Sequence, residues 1–151
     1  MNPILPFVIA CFFAFTAAAE DIKTAPEDTL FITMDEVQLD SLVWKKRPVV
    51  VFADTPDDPA FIQQMAFLRE RVEELAERDV IVITDTDPAA KSALRLKLRP
   101  RGFMLVLIGK DGGVKLRKPF PWNVREITRS IDKMPIRVQE IREKKHNIIT
   151  Q

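Results

Sequence analysis

The chain has 151 residues, of which 46% are hydrophobic and 30% charged, and this size and composition favour one globular domain. It contains one cysteine and one histidine, which excludes an internal disulfide, a thiolate metal cage and a multi-histidine metal site. The formal net charge of +1 excludes strong electrostatic steering by the molecule as a whole.

An apolar run over residues 4–19 opens the chain and ends in three alanines. Such a run is typical of a cleaved signal peptide, and it is shorter than the about 20 apolar residues of a spanning helix. We therefore predict a signal peptide over residues 1–19, a mature chain that begins at Glu20, and a periplasmic or secreted location. Cys11 lies in the run, and the alternative is a lipoprotein cleavage that leaves a lipidated Cys11 as the first residue. Cleavage before Glu20 leaves a mature chain without cysteine.

The first part of the mature chain combines a polar segment with the first buried elements. Residues 20–40 are acidic with scattered apolar positions, which predicts a loosely ordered N-terminal arm. A β-branched run over residues 49–53 is typical of a strand buried on both faces. Asp58 followed by Pro59 predicts the N-cap and the first residue of a helix that ends near Asp79.

Further elements follow at regular intervals. Two more buried strands are predicted over residues 80–83 and 103–108, with a short helix between them that starts after Asp87. The segment 110–113, Lys-Asp-Gly-Gly, predicts a hairpin turn, because Asp-Gly supplies the positive φ that tight hairpins need. An alternating strand over residues 114–118 follows and is predicted to form an edge of the sheet.

The last elements are helical. Asn123 and Glu126 predict a capping box for a closing helix, which Pro135 ends. The resulting order, βαβαββα with a mixed four-stranded sheet, is that of an α/β thioredoxin-like fold. This domain is predicted over residues 41–135, followed by a charged C-terminal helix or tail over residues 136–151.

Three segments resemble a known family. They are the hairpin LIGKDGGVK at 107–115, the helix end IDKMPIR at 131–137 and the strand WKKRPVVVF at 44–52. They are similar to an uncharacterised thioredoxin-like domain family of bacterial envelope proteins, shared with extracellular sushi-repeat-containing and Equarin-type matrix proteins. The resemblance covers about residues 40–140. It implies a thioredoxin-like fold and an exported location, and it implies no catalytic residue.

Several chemistries are disfavoured by the residues present. Thioredoxin and peroxidase chemistry needs a thiolate after the first strand of the domain, and residues 54–59, DTPDDP, contain no sulfur. We therefore expect neither thiol–disulfide oxidoreductase nor peroxidase activity. The single His146 lies in the polar tail, which disfavours a Ser-His-Asp hydrolase. A phosphate loop is disfavoured because a strand, rather than a helix, follows the glycine-rich turn. No cofactor is expected.

Five aspartates form the first candidate site. They follow the first two predicted strands, whose carboxyl ends meet where open sheets usually bind ligands, and carboxylates there suit a hard cation such as Ca²⁺. The alternative is that they cap helices or are solvated. The five residues are Asp54, Asp57, Asp58, Asp85 and Asp87.

The second candidate site is basic. Residues 20–90 contain 17 acidic and 7 basic residues, whereas residues 91–151 contain 5 acidic and 16 basic ones. Such a surface suits an anionic polymer, anionic lipid headgroups or an acidic protein, and nucleic acid is disfavoured because no aromatic residues interleave the basic ones. The alternative is that the two halves pair internally and that charges protect the edge strand. The candidates are Arg95, Lys97, Arg99, Arg101, Lys115, Arg117 and Lys118.

Together these patterns favour an exported, non-catalytic binding or adaptor module on a thioredoxin-like scaffold. In this interpretation Arg95 points away from the core of its helix, and Lys115 and Arg117 share one exposed strand face. The alternative interpretation is a metal-binding protein or an enzyme that uses the aspartate-rich edge.

Overall fold

A computed structural model describes residues 29–33 and 38–150, so the predicted signal peptide and most of the acidic arm lie outside the described residues. The strands are β1 (Phe31–Thr33), β2 (Arg47–Phe52), β3 (Val80–Asp85), β4 (Met104–Ile108) and β5 (Val114–Lys118). The helices are α1 (Pro59–Glu70), α2 (Val72–Ala76), α3 (Ala93–Leu98), α4 (Val124–Asp132) and α5 (Pro135–Ile149). Short 3₁₀ turns lie at Leu39–Leu42 and Pro88–Ala90.

The strands form one mixed sheet in the order β1-β3-β2-β4-β5. β1, β3 and β2 are parallel, and β4 and β5 are antiparallel to the strand beside them. This arrangement confirms the thioredoxin-like fold, with one strand more than the four predicted. The additional strand is β1, which pairs Phe31 with Val82 inside the segment expected to be a loose arm. Leu30, 4% exposed, anchors it in the core.

The sheet is covered on both faces, which explains why β2 and most of β3 read as continuous apolar runs. On one face α1 and α4 pack on the sheet, and we call this the α1 face; on the other, α3 and the turn Leu39–Leu42 pack, and we call this the α3 face. The buried residues of the α1 face include Val49, Val51, Leu68, Leu105 and Ile127. Those of the α3 face include Val50, Phe52, Ile83, Leu94 and Val106.

Most helix boundaries follow their sequence signals. The side chain of Asp58 caps α1, as predicted. Asn123 caps α4 through its side-chain oxygen and the backbone N–H of Glu126, whereas the Glu126 carboxylate pairs with Arg129. The predicted long helix is divided at Arg71, whose φ of −133° separates α1 from α2. Pro135 is the first residue of α5, where its missing N–H costs no hydrogen bond.

The β4–β5 hairpin has the predicted turn and an unexpected irregularity. Gly112 has a φ of +79°, the positive φ that the Asp-Gly pair predicts for this turn. The ladder then shifts, because Leu107 pairs with Leu116 and Ile108 with Val114, so Lys115 is an extra residue in a β-bulge. None of the described helices is long and apolar enough to cross a bilayer.

Candidate functional site

The loop after β2 lies at the carboxyl edge of the sheet and contains no sulfur. Asp54 and Asp57 are exposed on it. Asp58 is occupied as the N-cap, since its Oδ1 accepts hydrogen bonds from the backbone N–H groups of Ala60 at 2.8 Å and Phe61 at 3.4 Å. The local geometry therefore starts a helix and presents no nucleophilic thiol.

A buried ion pair closes the same edge. Arg95 Nε lies 2.9 Å from Asp85 Oδ1, and the two side chains are 9% and 4% exposed. Arg95 Nη2 also donates to the carbonyl oxygens of Ala53 at 2.6 Å and Asp85 at 3.0 Å, and Ser92 Oγ donates to Asp85 Oδ2 at 2.5 Å. The expectation that Arg95 points outward is thus wrong. A buried carboxylate needs a counter-charge, and α3 supplies it.

The five aspartates are consequently divided among different roles. Asp58 caps α1, Asp87 accepts a hydrogen bond from the N–H of Ala89 at 3.0 Å, and Asp85 is buried against Arg95. Asp54 and Asp57 are exposed, and neither caps a helix or forms an ion pair with any residue that the structure describes. Within residues 29–33 and 38–150, no group of three or more Asp, Glu, His or Cys side chains is placed to hold a metal ion.

The seven basic candidates are also separated by the fold. Arg95 is buried, Lys115 Nζ lies 2.8 Å from Asp111 Oδ2, and Lys118 Nζ lies 4.6 Å from the centre of the Trp122 ring. The remaining four gather near the C-terminal end of α3.

The β-bulge places Lys115 and Arg117 on opposite faces of β5. Lys115 borders a groove with Leu116 and Met134 on the α1 face. Arg117 reaches the α3 face, where its Nη1 donates to the carbonyl oxygen of Leu98 at 2.6 Å. The expected shared face is therefore wrong, because the extra residue breaks the alternation of side chains.

Lys97, Arg99, Arg101 and Arg117 surround the C-terminal end of α3. Arg99 ends the helix in the left-handed conformation, with a φ of +50°. Cations at this position stabilise the helix through its macrodipole, which is one structural reason for their presence. In the part of the chain that the structure describes, no carboxylate lies within ion-pair distance of these four side chains.

A small apolar pocket of about 50 Å³ opens beside these cations. Lys46 and Lys97 border it, and Asp40 is the acidic residue at its rim. Sequence reasoning missed Lys46, although it belongs to the Lys-Lys-Arg run that leads into β2. We call Lys46, Lys97, Arg99, Arg101 and Arg117 the basic surface. The apolar lining of the pocket comes from Leu39, Leu42, Val43, Leu94, Leu98, Ile108 and Val114.

At the N-terminal end of β2, the end of the sheet opposite to the Arg95–Asp85 pair, a cluster of ionic residues attaches α5. Arg47, whose side chain is 1% exposed, donates from Nη1 to the carbonyl oxygen of Arg78 at 2.8 Å and from Nη2 to Glu140 Oε1 at 3.0 Å. Lys110 Nζ lies 2.8 Å from both Asp79 Oδ2 and Glu140 Oε1. The cluster connects β2, the start of β3 and the hairpin to α5. Sequence reasoning did not identify it.

The ionic cluster shifts the protonation equilibria of its members. Burial disfavours the charged form of Glu140, but hydrogen bonds from Lys110 and Arg47 outweigh it and hold the pKa of Glu140 below its usual range. Arg137 pairs with both Glu140 and Asp132, which extends the cluster to the ion pair between Arg78 and Asp132. The hydrogen bond from Arg78 likewise lowers the pKa of Asp132. Burial opposes protonation of Lys110, yet hydrogen bonds to Asp79 and Glu140 raise the pKa of Lys110. These shifts favour the charged forms of Glu140, Asp132 and Lys110 at neutral pH.

Comparison with solved structures supports the fold class. The chain is similar to a reduced 2-Cys peroxiredoxin of Plasmodium vivax, with 17% identity over 71% of this chain and 85% of that chain and a TM-score of 0.53. It is similar to chloroplastic thioredoxin z, with 22% identity over 68% and 90% of the two chains and a TM-score of 0.51. It is also similar to thioredoxin peroxidase I of Plasmodium yoelii, with 19% identity over 72% and 80% and a TM-score of 0.51. At these identities the likeness shows a thioredoxin-like fold and nothing about activity.

The family follows from the sequence match. The chain belongs to the family described as Domain of unknown function (DUF4174), which matches residues 38–140. No curated protein matches the chain at a significant level.

Proposed function

We propose that the protein is an exported, non-catalytic binding module that holds an acidic segment of a partner protein on its basic surface. The observation that carries this proposal is the set of unpaired cations on that surface. Lys46 and Lys97 line the apolar pocket. Arg99 and Arg101 follow Lys97 at the end of α3, and Arg117 of β5 donates a hydrogen bond to Leu98, which also lines the pocket. No described carboxylate forms an ion pair with any of them. An exposed cationic surface of this kind attracts and orients anionic partners.

The pocket favours a protein segment over the other anionic ligands. Sulfated or phosphorylated polymers offer charge but no apolar side chain to fill the pocket. A layer of lipid headgroups is flat and does not enter a recessed pocket. An acidic peptide offers both carboxylates and an apolar side chain. Trp44, two residues before Lys46 in the chain, is 66% exposed, and Leu96, next to Lys97 in the sequence of α3, is 62% exposed. Aromatic and arginine side chains are enriched at the centres of protein interfaces.

The carboxyl edge supports a non-catalytic role. The loop after β2 contains no cysteine, and the Arg95–Asp85 pair fills the edge with groups that are already satisfied. We expect the purified protein to reduce neither an insulin-type disulfide nor a peroxide, because both reactions need a thiolate. Measurable turnover in either assay, persisting after repurification, would overturn this part of the proposal.

The proposed export rests on the first segment of the sequence. Residues 4–19 form an apolar run that ends in three alanines, the pattern of a signal peptide. The sequence resemblance to bacterial envelope proteins and extracellular matrix proteins agrees with it. Residues 1–20 fused to a reporter that is active only outside the cytoplasm are the direct test.

The binding proposal is tested with a fluorescein-labelled eight-residue peptide that alternates Glu and Val. Lys97, Arg99 and Arg101 are changed to Glu together, and Arg117 is left intact because it holds the end of α3. We expect the dissociation constant to rise about tenfold or more, measured by fluorescence anisotropy, because attraction becomes repulsion. Wild-type binding is expected to weaken with salt, since exposed charges are screened beyond about 8 Å at physiological ionic strength.

The matched control changes Arg125, Arg142 and Lys144 to Glu, which gives the same net charge at exposed positions away from the basic surface. We expect this variant to bind like the wild type. Equal loss of binding in both triple variants would show an effect of net charge alone and overturn the proposed site. Binding of heparin without binding of the peptide would overturn the acidic protein partner in favour of a polymer.

A further inference from the structure

β5 is an edge strand, and its outer side pairs with no strand in the described part of the chain. Its inner side pairs with β4, and β4 is its one neighbour in the sheet. No other backbone hydrogen bond reaches residues 115–118 from the described part of the chain. The outer N–H and C=O groups are therefore available to a further extended segment.

Cations border this edge on both faces. Arg117 lies on the α3 face beside Lys97 and Arg99, as the hydrogen bond to Leu98 shows. Lys118 and Lys133 border the groove on the α1 face. The bulge residue Lys115 borders the same groove, and among these cations it is the one that pairs with a carboxylate of the described residues, that of Asp111. Because a strand sends alternate side chains to opposite faces, a segment paired with β5 would meet positive charge on both faces.

The groove on the α1 face also offers apolar contact. Its volume is about 500 Å³, and it is lined by Leu116, Trp122, Met134 and Pro135 between the lysines. Leu116, Trp122 and Met134 pack only partly into the core and retain exposed area. One row of side chains from an added strand would cover this area.

A second copy of this chain is a poor occupant of the edge. It would place the cations of two β5 strands opposite each other, and like charges directly opposite destabilise a strand pair. The same cations that disfavour a second copy favour a negatively charged strand. The edge of β5 therefore selects its partner strand by charge.

We propose that the acidic segment binds by adding as a strand to the outer side of β5, with carboxylates toward the α3 face and apolar side chains in the groove on the α1 face. This inference rests on the proposed function, since it specifies how the acidic partner is held. About five residues would pair over roughly 17 Å of strand.

The test compares the Glu-Val peptide with the same peptide methylated at every backbone nitrogen, which keeps the charges and removes the N–H donors. We expect the methylated peptide to bind about tenfold more weakly or worse. Amide hydrogen exchange of residues 114–118, measured by NMR, is expected to slow about tenfold or more at alternate positions when the unmodified peptide binds. An exposed segment elsewhere, residues 142–149 of α5, serves as the unaffected reference.

The outcomes separate this inference from the proposed function. Equal binding of both peptides with unchanged exchange in β5 would overturn strand addition and leave binding by the basic surface intact. Failure of both peptides to bind would overturn the proposed function itself. Protection of β5 that grows with protein concentration in the free protein would show that a second copy covers the edge, and would also overturn strand addition.

Discussion

Arg47 shows how a charged residue can begin the central strand of a buried sheet. Removing a guanidinium from water is costly, and the cost is offset here by a backbone carbonyl, Arg78 O, and by the carboxylate of Glu140. The aliphatic part of the side chain extends the apolar strand. Because Glu140 belongs to α5, the ion pair determines where this last helix lies against the sheet.

We expect Glu140→Gln to destabilise the protein by about 2–3 kcal/mol, because Arg47 and Lys110 lose their shared negative partner while remaining buried. The free energy of unfolding from urea titration measures the change. The control is Glu143→Gln, one turn further along α5 at an exposed position, with an expected change within about 0.5 kcal/mol. Similar values for the two variants would show that the cluster does not hold α5.

At the scale of elements, β1 belongs to the folded domain even though it lies in a polar segment. Its three residues pair in parallel with β3, and Leu30 before it is buried in the core of the α1 face. Phe31 also packs against this core and lies 5.4 Å below the guanidinium of Arg69. These contacts explain why so short a strand is ordered.

We therefore expect Leu30→Ala to lower the free energy of unfolding by about 2–3 kcal/mol, the cost of removing a buried leucine side chain. Thr33→Ala, at the exposed end of the same strand, is the control and should change stability little. Thermal unfolding followed by circular dichroism compares the two variants. No difference between them would mean that β1 contributes nothing to the domain.

The elements that sequence reasoning recovered are those whose pattern is local. β2, β3 and β4 are continuous apolar runs, and Asp58 and Asn123 are capping residues followed at once by a helix. β1 was missed because three residues among acidic ones give no periodicity. The bulge at Lys115 was missed because it depends on the register with β4, which no local pattern contains.

The candidate site was recovered less completely for the same reason. The basic residues near α3 were identified from the density of charged residues in the sequence. Arg95, however, is buried because it pairs with Asp85, which is ten residues away in sequence but adjacent in space. Lys46 joins the surface because the fold places it at the same pocket as Lys97 and the turn Leu39–Leu42, which are distant from each other in sequence. Long-range pairing, rather than residue type, determines which cations remain free.

At the scale of the whole molecule, the acidic and basic halves of the chain pair in part. Arg95 with Asp85, Lys110 with Asp79 and Arg137 with Glu77 are ion pairs between the halves. These pairs are concentrated at the two ends of the sheet. Among the cations of the basic surface and of the β5 edge, Lys115 is the one that pairs with a described carboxylate, that of Asp111.

The ionic cluster predicts how stability depends on pH. The pKa values of Glu140 and Asp132 are lower in the folded protein than their ordinary values of 4.5 and 3.8. A carboxyl group with a depressed folded pKa contributes stability above its unfolded pKa, and that contribution is lost as the pH falls through the folded value. The pKa of Lys110 is raised above 10.5, so its contribution is present below that value and is lost as the pH rises through the folded pKa.

We therefore expect the free energy of unfolding to be nearly constant between about pH 5 and pH 10 and to fall on both sides of this range. The double variant Glu140→Gln, Asp132→Asn removes the two shifted carboxyls, so its stability at neutral pH is lower and its decline below pH 4.5 is shallower than in the wild type. The alkaline decline should also be shallower in this variant, because Lys110 loses the negative charge of Glu140 and its pKa is then raised less in the folded protein. Urea titrations at intervals of one pH unit provide the curves, and Asp57→Asn, an exposed aspartate without an ion pair, is the control. An acid decline equally steep in the double variant and the control would place the acid-sensitive carboxyls elsewhere in the molecule.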